Sequence, residues 1–139
     1  MKLKRVYSNI IPFKGYIALT LYPFVFIRND KRQKYTPTTN RHELIHAYQQ
    51  IETTILGAFI SLLFYLLGGE WFSLIYLGLY FEIYLLEWLI KLVLCKFDTT
   101  KVYRSISFEQ EAYANQGKVN YNKERRHYAW AKYVFKLKK

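Results

Sequence analysis

The chain has 139 residues, with 21 Lys and Arg against 10 Asp and Glu, which gives a formal net charge of +11. A composition that is 52% hydrophobic and 19% aromatic excludes an intrinsically disordered chain, and the length accommodates one domain rather than two. The one cysteine, Cys95, excludes a disulfide framework and the cysteine-rich zinc folds.

The N-terminal segment, residues 1–35, is rich in β-branched and aromatic side chains and is interrupted by Gly15 and Pro23. This pattern predicts a β-meander with strands near residues 6–11, 16–21 and 24–28. A polar loop follows. Asn40 then leads into a helix over residues 40–52, so the predicted fold class is α+β.

Residues 53–96 form the most apolar part of the chain, and we expect them to fold as a long helical hairpin that turns at Gly68. Residues 53–69 are 17 uncharged residues, roughly 25 Å of helix, which favours insertion into a membrane. Lys and Arg flank both outer ends of the hairpin, so the positive-inside rule puts both termini in the cytoplasm. Glu87 and Lys91, four residues apart, are expected to pair. The alternative is a hairpin buried inside a soluble domain.

The C-terminal third contains a predicted helix over residues 105–117 and a basic amphipathic tail over residues 121–139. Lys, Arg and aromatic residues alternate in this tail, a composition that suits either an anionic membrane surface or a nucleic acid. The neighbouring apolar hairpin favours membrane lipid as the partner over nucleic acid.

Two histidines lie one helical turn apart in the sequence His42-Glu43-Leu-Ile-His46. On a helix, this spacing places both imidazoles on one face, where they can bind one Zn²⁺. Glu43 lies about 100° around the helix, where it can take a proton from a water activated by the metal. The pattern therefore predicts a ligand, a general base and a second ligand. Gln49, one turn further on, can form a hydrogen bond near this site or to the helix that carries Glu109, or can equally well remain on the helix surface.

A third zinc ligand has to come from elsewhere in the chain. His127 lies in a basic run and is expected to be solvated, so a carboxylate of the later helix is the better candidate. Glu109 and Glu111 are 200° apart on that helix, so only one of them can face the metal. The hairpin between the two motifs runs out and back, which would return this carboxylate to the histidines.

These motifs resemble a known family. His42-Glu-Leu-Ile-His46 followed by Glu109-x-x-Ala112 is similar to the gluzincin-type zinc metallopeptidases, including the membrane-embedded CAAX-endopeptidase-like group. The likeness is greater to short bacterial membrane-associated metallopeptidase-like proteins with His-Glu-x-x-His-x-x-Gln and Phe-Glu-x-Glu-Ala-Tyr. It implies a small zincin-like domain with Glu109 as the ligand, although both glutamates recur in the shorter proteins. Tyr113 replaces an aspartate of the CAAX-type motif.

From these observations we expect zinc-dependent hydrolysis of a peptide or protein substrate at the cytoplasmic face of a bacterial membrane. His42, His46 and Glu109, or alternatively Glu111, would hold the metal, and Glu43 would be the general base. One of the strands before the motif helix could hold an extended peptide by strand addition. The alternative is a non-catalytic membrane protein in which the metal site is structural or vestigial.

Overall fold

The structure is a computed structural model that describes residues 1–69 and 71–138. Glu70, within the predicted hairpin, and Lys139, the end of the predicted tail, lie outside the described residues. The strands are β1 (Lys4–Ser8), β2 (Ala18–Leu21) and β3 (Phe24–Arg28). The α-helices are α1 (Pro37–Leu66), α2 (Leu79–Leu94), α3 (Thr99–Ser105), α4 (Ser107–Asn115) and α5 (Tyr121–Glu124). Segments of 3₁₀ helix cover Asn29–Lys34, Trp71–Gly78 and Ala129–Tyr133.

The predicted α+β class is confirmed, but the predicted β-meander is wrong. The strand order is β1-β3-β2, with β1 parallel and β2 antiparallel to β3. A two-residue connection joins β2 to β3 and forces an antiparallel hairpin, whereas residues 9–17 are long enough to carry the chain past β3. The central strand β3 contributes Val25 and Ile27, both fully buried.

Helix α1 begins three residues before the predicted start, because Thr36 rather than Asn40 caps it. The Thr36 hydroxyl accepts a hydrogen bond from the Thr39 amide at 3.2 Å, and Pro37 occupies the first helical position, where no amide hydrogen is needed. The helix ends at Leu66, and Gly68 follows with φ +85°. A glycine in this left-handed conformation is the expected helix terminator, so the predicted stop is confirmed.

The chain divides into two compact units. The first consists of Met1–Tyr48 and Glu111–Arg126, and therefore contains the sheet, the start of α1 and the end of α4. Its buried apolar residues include Val25, Ile27 and Ile45.

The second unit consists of Gln49–Gln110 and the described chain from His127 onward. Its two long arms approach each other closely at Gly57 of α1, where an added Cβ would overlap the main-chain carbonyl of Tyr76. The rings of Phe64 and Tyr76 pack 5.6 Å apart, which continues this contact toward the turn. The predicted hairpin is therefore present. Its second arm begins as 3₁₀ helix and becomes α-helical only at Leu79, so it is not the single helix that was expected.

The core of the second unit is aromatic. Phe108 is fully buried and stacks on Tyr80 at a centroid distance of 4.5 Å, with Trp130 against it at 4.7 Å. Among the described helices, α1 is long and apolar enough to cross a membrane by length and composition, and 33% of its most apolar window is buried.

Two predictions for the C-terminal third need correction. The predicted helix over residues 105–117 is α4, which is shorter and is separated from α3 by Ile106. The described part of the amphipathic tail is not one continuous helix: it contains the four-residue α5 and the 3₁₀ segment Ala129–Tyr133, and between them Tyr128 adopts a left-handed conformation with φ 54°. Hydrogen bonds to α4 prevent this segment from forming a regular helix. Arg125 donates to the Glu111 carboxylate, and the Lys136 carbonyl accepts a hydrogen bond from Gln110.

Candidate metal centre

The two motif histidines face each other on the first turns of α1. The Nε2 atoms of His42 and His46 lie 3.0 Å apart, and the two side chains are buried, with 7% and 6% exposure. Two nitrogens that bind one tetrahedral Zn²⁺ at 2.0–2.1 Å would be about 3.3 Å apart. The helical spacing therefore yields a nitrogen pair close to the separation that one ion requires.

Gln116 fixes the orientation of the first imidazole. Its Oε1 lies 3.1 Å from His42 Nδ1, and the tautomer that donates this hydrogen bond keeps the lone pair on Nε2, which faces His46. The main-chain carbonyl of Gln116 in turn accepts a 2.6 Å hydrogen bond from Arg41. A hydrogen bond to the outer ring nitrogen is the usual support for a metal-binding histidine.

Helix α4 lies beside the motif turns of α1, as two separate contacts show. Within the first unit, the Tyr113 ring packs edge-on against His42 at a centroid distance of 4.7 Å. Within the second unit, Gln49 donates to the Phe108 carbonyl at 3.1 Å and is fully buried. Of the two alternatives for Gln49, the structure therefore shows the hydrogen bond to the helix that carries Glu109 and not a place on the helix surface.

Glu109 directly follows Phe108 and precedes Tyr113 by one turn on the same face of α4. Each residue of the set His42, His46 and Glu109 offers one ligand atom, and these three atoms lie within 4.8 Å of one another. Glu109 is 4% exposed, and its Oε1 accepts a hydrogen bond from the Tyr84 hydroxyl at 3.3 Å. The donor set is thus two imidazoles and one carboxylate, which together could hold a metal ion.

Glu111, the alternative ligand, points to other partners. Its carboxylate accepts hydrogen bonds from Arg125 at 2.6 and 3.1 Å and from the Tyr121 hydroxyl at 2.9 Å. This glutamate is fully buried in a charged pair, so it connects α4 to the segment around α5. His127, which was expected to be solvated, has an 89% exposed side chain and meets Glu52 at 3.3 Å.

Glu43, the candidate general base, is 5% exposed and is held by strand β2. The Thr20 hydroxyl donates to Glu43 Oε2 at 2.8 Å, which restricts rotation of the carboxylate. The pKa of Tyr35 is raised to about 12, mainly by burial and to a smaller extent by the negative charge of Glu43. Tyr35 therefore remains protonated at neutral pH, and it donates a hydrogen bond to Asn40 at 2.9 Å.

No protein-family model, no curated protein and no solved structure matches this chain. The candidate site is therefore defined by the geometry of its own residues.

Sequence reasoning missed three residues of this site: Thr20, Tyr84 and Gln116. Each contacts a motif residue through a long-range hydrogen bond, across 23, 25 and 74 positions respectively. Tyr84 is one of 14 tyrosines, so its residue type carried no signal. A polar residue one turn after Tyr113 is a weak signal that could have pointed to Gln116.

We expect Gln116→Leu to weaken metal binding about 10- to 100-fold, because His42 loses the acceptor that fixes its tautomer. The Arg41 hydrogen bond goes to the main chain and survives this change. The measurement is metal affinity by competition with a chromophoric chelator. Gln33→Leu, at an exposed position, serves as the matched control. Equal metal affinity in the two variants would show that Gln116 does not support metal binding.

Proposed function

We propose that this protein is a zinc-dependent peptide hydrolase that works at the cytoplasmic face of a membrane. The observation that carries the proposal is the convergence of ligand atoms from His42, His46 and Glu109 within 4.8 Å, with Glu43 between the two histidines in sequence. Two neutral imidazoles and one carboxylate form the ligand set of zinc sites that keep a position open for water or substrate.

The roles of the residues follow from their chemistry. When bound, the ion supplies Lewis acidity toward a water molecule and a substrate carbonyl. Glu43 accepts the proton of the attacking water and later delivers it to the departing amine. Thr20 holds one oxygen of this carboxylate, so the base is oriented before substrate arrives. Gln116 and Tyr84 orient His42 and Glu109.

The substrate would lie along β2. This strand forms one edge of the sheet, whereas β3 is central and paired on both sides. Of β2 and β3, only β2 therefore has free backbone groups to which an extended peptide could add. Thr20 lies in β2 and also contacts Glu43. A peptide on this edge would therefore run beside the candidate base.

The membrane location has separate support. Helix α1 is long and apolar enough to span a membrane, and large apolar side chains of its second half are exposed, such as Phe59, Leu62 and Leu66. Contiguous exposed apolar surface of this kind marks an interaction site. With Lys and Arg dense at both ends of the chain, both termini would lie in the cytoplasm.

The test is hydrolysis of a mixed peptide library by the purified, zinc-loaded chain, followed by mass spectrometry. We expect cleavage that stops with a chelator, returns on addition of Zn²⁺ and is absent in His46→Ala. Cleavage that is indifferent to the chelator would reject the proposal, as would a wild-type chain that fails to bind zinc.

A second function is favoured by one observation, the 2.8 Å hydrogen bond between Thr20 and Glu43. This bond joins β2 to α1 and gives the carboxylate a structural role that needs no catalysis. In that case the metal would clamp α1 to α4 in a non-catalytic membrane protein. This function predicts zinc binding without any peptide cleavage.

A further inference from the structure

Helix α2 presents an apolar face to its surroundings. Residues on this face lie one turn apart and are at least half exposed, as Phe81, Leu85 and Leu89 are, at 51%, 58% and 50%. The stretch from Leu74 through the 3₁₀ segment to Leu94 is about 34 Å long, slightly more than the hydrocarbon core of a bilayer, which is about 30 Å thick.

Positive charge collects where this apolar face ends. Helix α2 stops at Leu94 and is followed by exposed Lys96 and by Phe97, which is 70% exposed. In the C-terminal segment, Phe135 is 99% exposed and is followed by exposed Lys136. Lys101 of α3 and Lys132 and Lys138 of the C-terminal segment are exposed as well. We define the cationic foot as the exposed lysines and phenylalanines of these segments: Lys96, Phe97, Lys101, Lys132, Phe135, Lys136 and Lys138.

Ser105 joins the segments that carry the cationic foot. Its carbonyl accepts a hydrogen bond from Lys91 of α2 at 2.5 Å, and its hydroxyl accepts one from the Lys138 amide at 2.9 Å. The Lys136 carbonyl accepts a third bond from Gln110 at 2.9 Å. The end of α2, helix α3 and the C-terminal segment are therefore fixed to one another within the second unit.

We propose that the cationic foot binds the phosphate headgroups of anionic lipids. Lysines attract a negatively charged leaflet, and exposed phenyl rings enter the interface beside them. Nucleic acid would also attract the lysines. A lipid surface is favoured because the apolar face of α2 runs directly into the cationic foot. The proposal rests on the membrane part of the proposed function and not on the metal chemistry.

The test follows thermal unfolding of the full chain in a neutral detergent. Phosphatidylglycerol and phosphatidylcholine are added at the same mole fraction, with inorganic phosphate and a single-stranded oligonucleotide as further arms. We compare a foot variant, K101Q/K132Q/K136Q, with a control, K2Q/K14Q/K34Q, that removes the same charge from exposed lysines of the first unit.

We expect phosphatidylglycerol to raise Tm well above phosphatidylcholine in the wild type and the control, and less so at high salt. The foot variant should need about 100-fold more phosphatidylglycerol to reach the same rise in Tm, since each lysine near an anionic surface contributes about fivefold. Equal effects of the two lipids, or a foot variant that keeps the phosphatidylglycerol effect, would overturn the proposal. Equal stabilisation by phosphate or by the oligonucleotide through the same lysines would overturn it as well. No arm measures hydrolysis, so failure of the peptidase proposal would leave this result unchanged.

Discussion

A Glu43→Gln variant is expected to bind Zn²⁺ as tightly as the wild type does and to lose peptide hydrolysis by about 10²- to 10⁴-fold. Glutamine keeps the size of the side chain and can still accept the Thr20 hydrogen bond through its amide oxygen. It cannot take up a proton from water at neutral pH. The measurement pairs metal content with kcat/KM on a peptide that the wild type cleaves.

Thr20→Val provides the matched comparison for this variant. It removes the hydroxyl that holds Glu43 but leaves the carboxylate in place, so we expect a smaller loss of activity with metal content unchanged. Full activity in Glu43→Gln would show that another group is the base. If wild type and variant are equally inert and both hold zinc, the structural clamp becomes the better description of this site.

The parts of this site that the sequence predicts are those fixed by local helical geometry. His42 and His46 share a face of α1 because they are four residues apart in one helix, and no distant contact is required. Glu87 and Lys91 follow the same rule, and their predicted pairing is confirmed by a 2.6 Å salt bridge. The stop of α1 before Gly68 is equally local.

Local helical geometry does not show whether Glu109 or Glu111 is the candidate third ligand. Helical spacing shows that the two carboxylates face opposite sides of α4, but not which side meets the histidines. Arg125 and Tyr121 bind Glu111, and both are more than nine residues away in sequence. A buried carboxylate with such partners is recognised only after the chain has folded around it.

The strand order and the conformation of the C-terminal segment could not be predicted from the sequence for the same reason. The β-branched and aromatic composition predicts three strands in this segment, but pairing between β1 and β3 joins residues about 20 positions apart. The C-terminal segment has a composition suited to an amphipathic helix. Hydrogen bonds to Ser105 and Gln110 nevertheless hold its described part in an irregular conformation. Tertiary contacts outweighed local propensity in both places.

The second large effect concerns the buried charged pair of α2. We expect Glu87→Ala to destabilise the protein by about 3–5 kcal/mol, because it leaves the Lys91 ammonium buried with half of its partners removed. Glu87 and Lys91 are 7% and 3% exposed. Glu87 also accepts hydrogen bonds from the amide and hydroxyl of Ser107, at 2.8 and 2.5 Å, and so anchors the first turn of α4. Chemical unfolding in detergent measures the loss, with exposed Glu124→Ala as the control.

This pair also bears on the metal, because Glu109 lies two residues after Ser107 in α4. A Glu87→Leu/Lys91→Met double variant removes both charges together, so the cost of an unpaired buried ion disappears and much of the stability should return. The Ser107 anchor remains absent in this variant. We therefore expect zinc affinity to stay below that of the wild type even where the unfolding free energy recovers. Recovery of both quantities together would mean that the pair stabilises the fold without positioning Glu109.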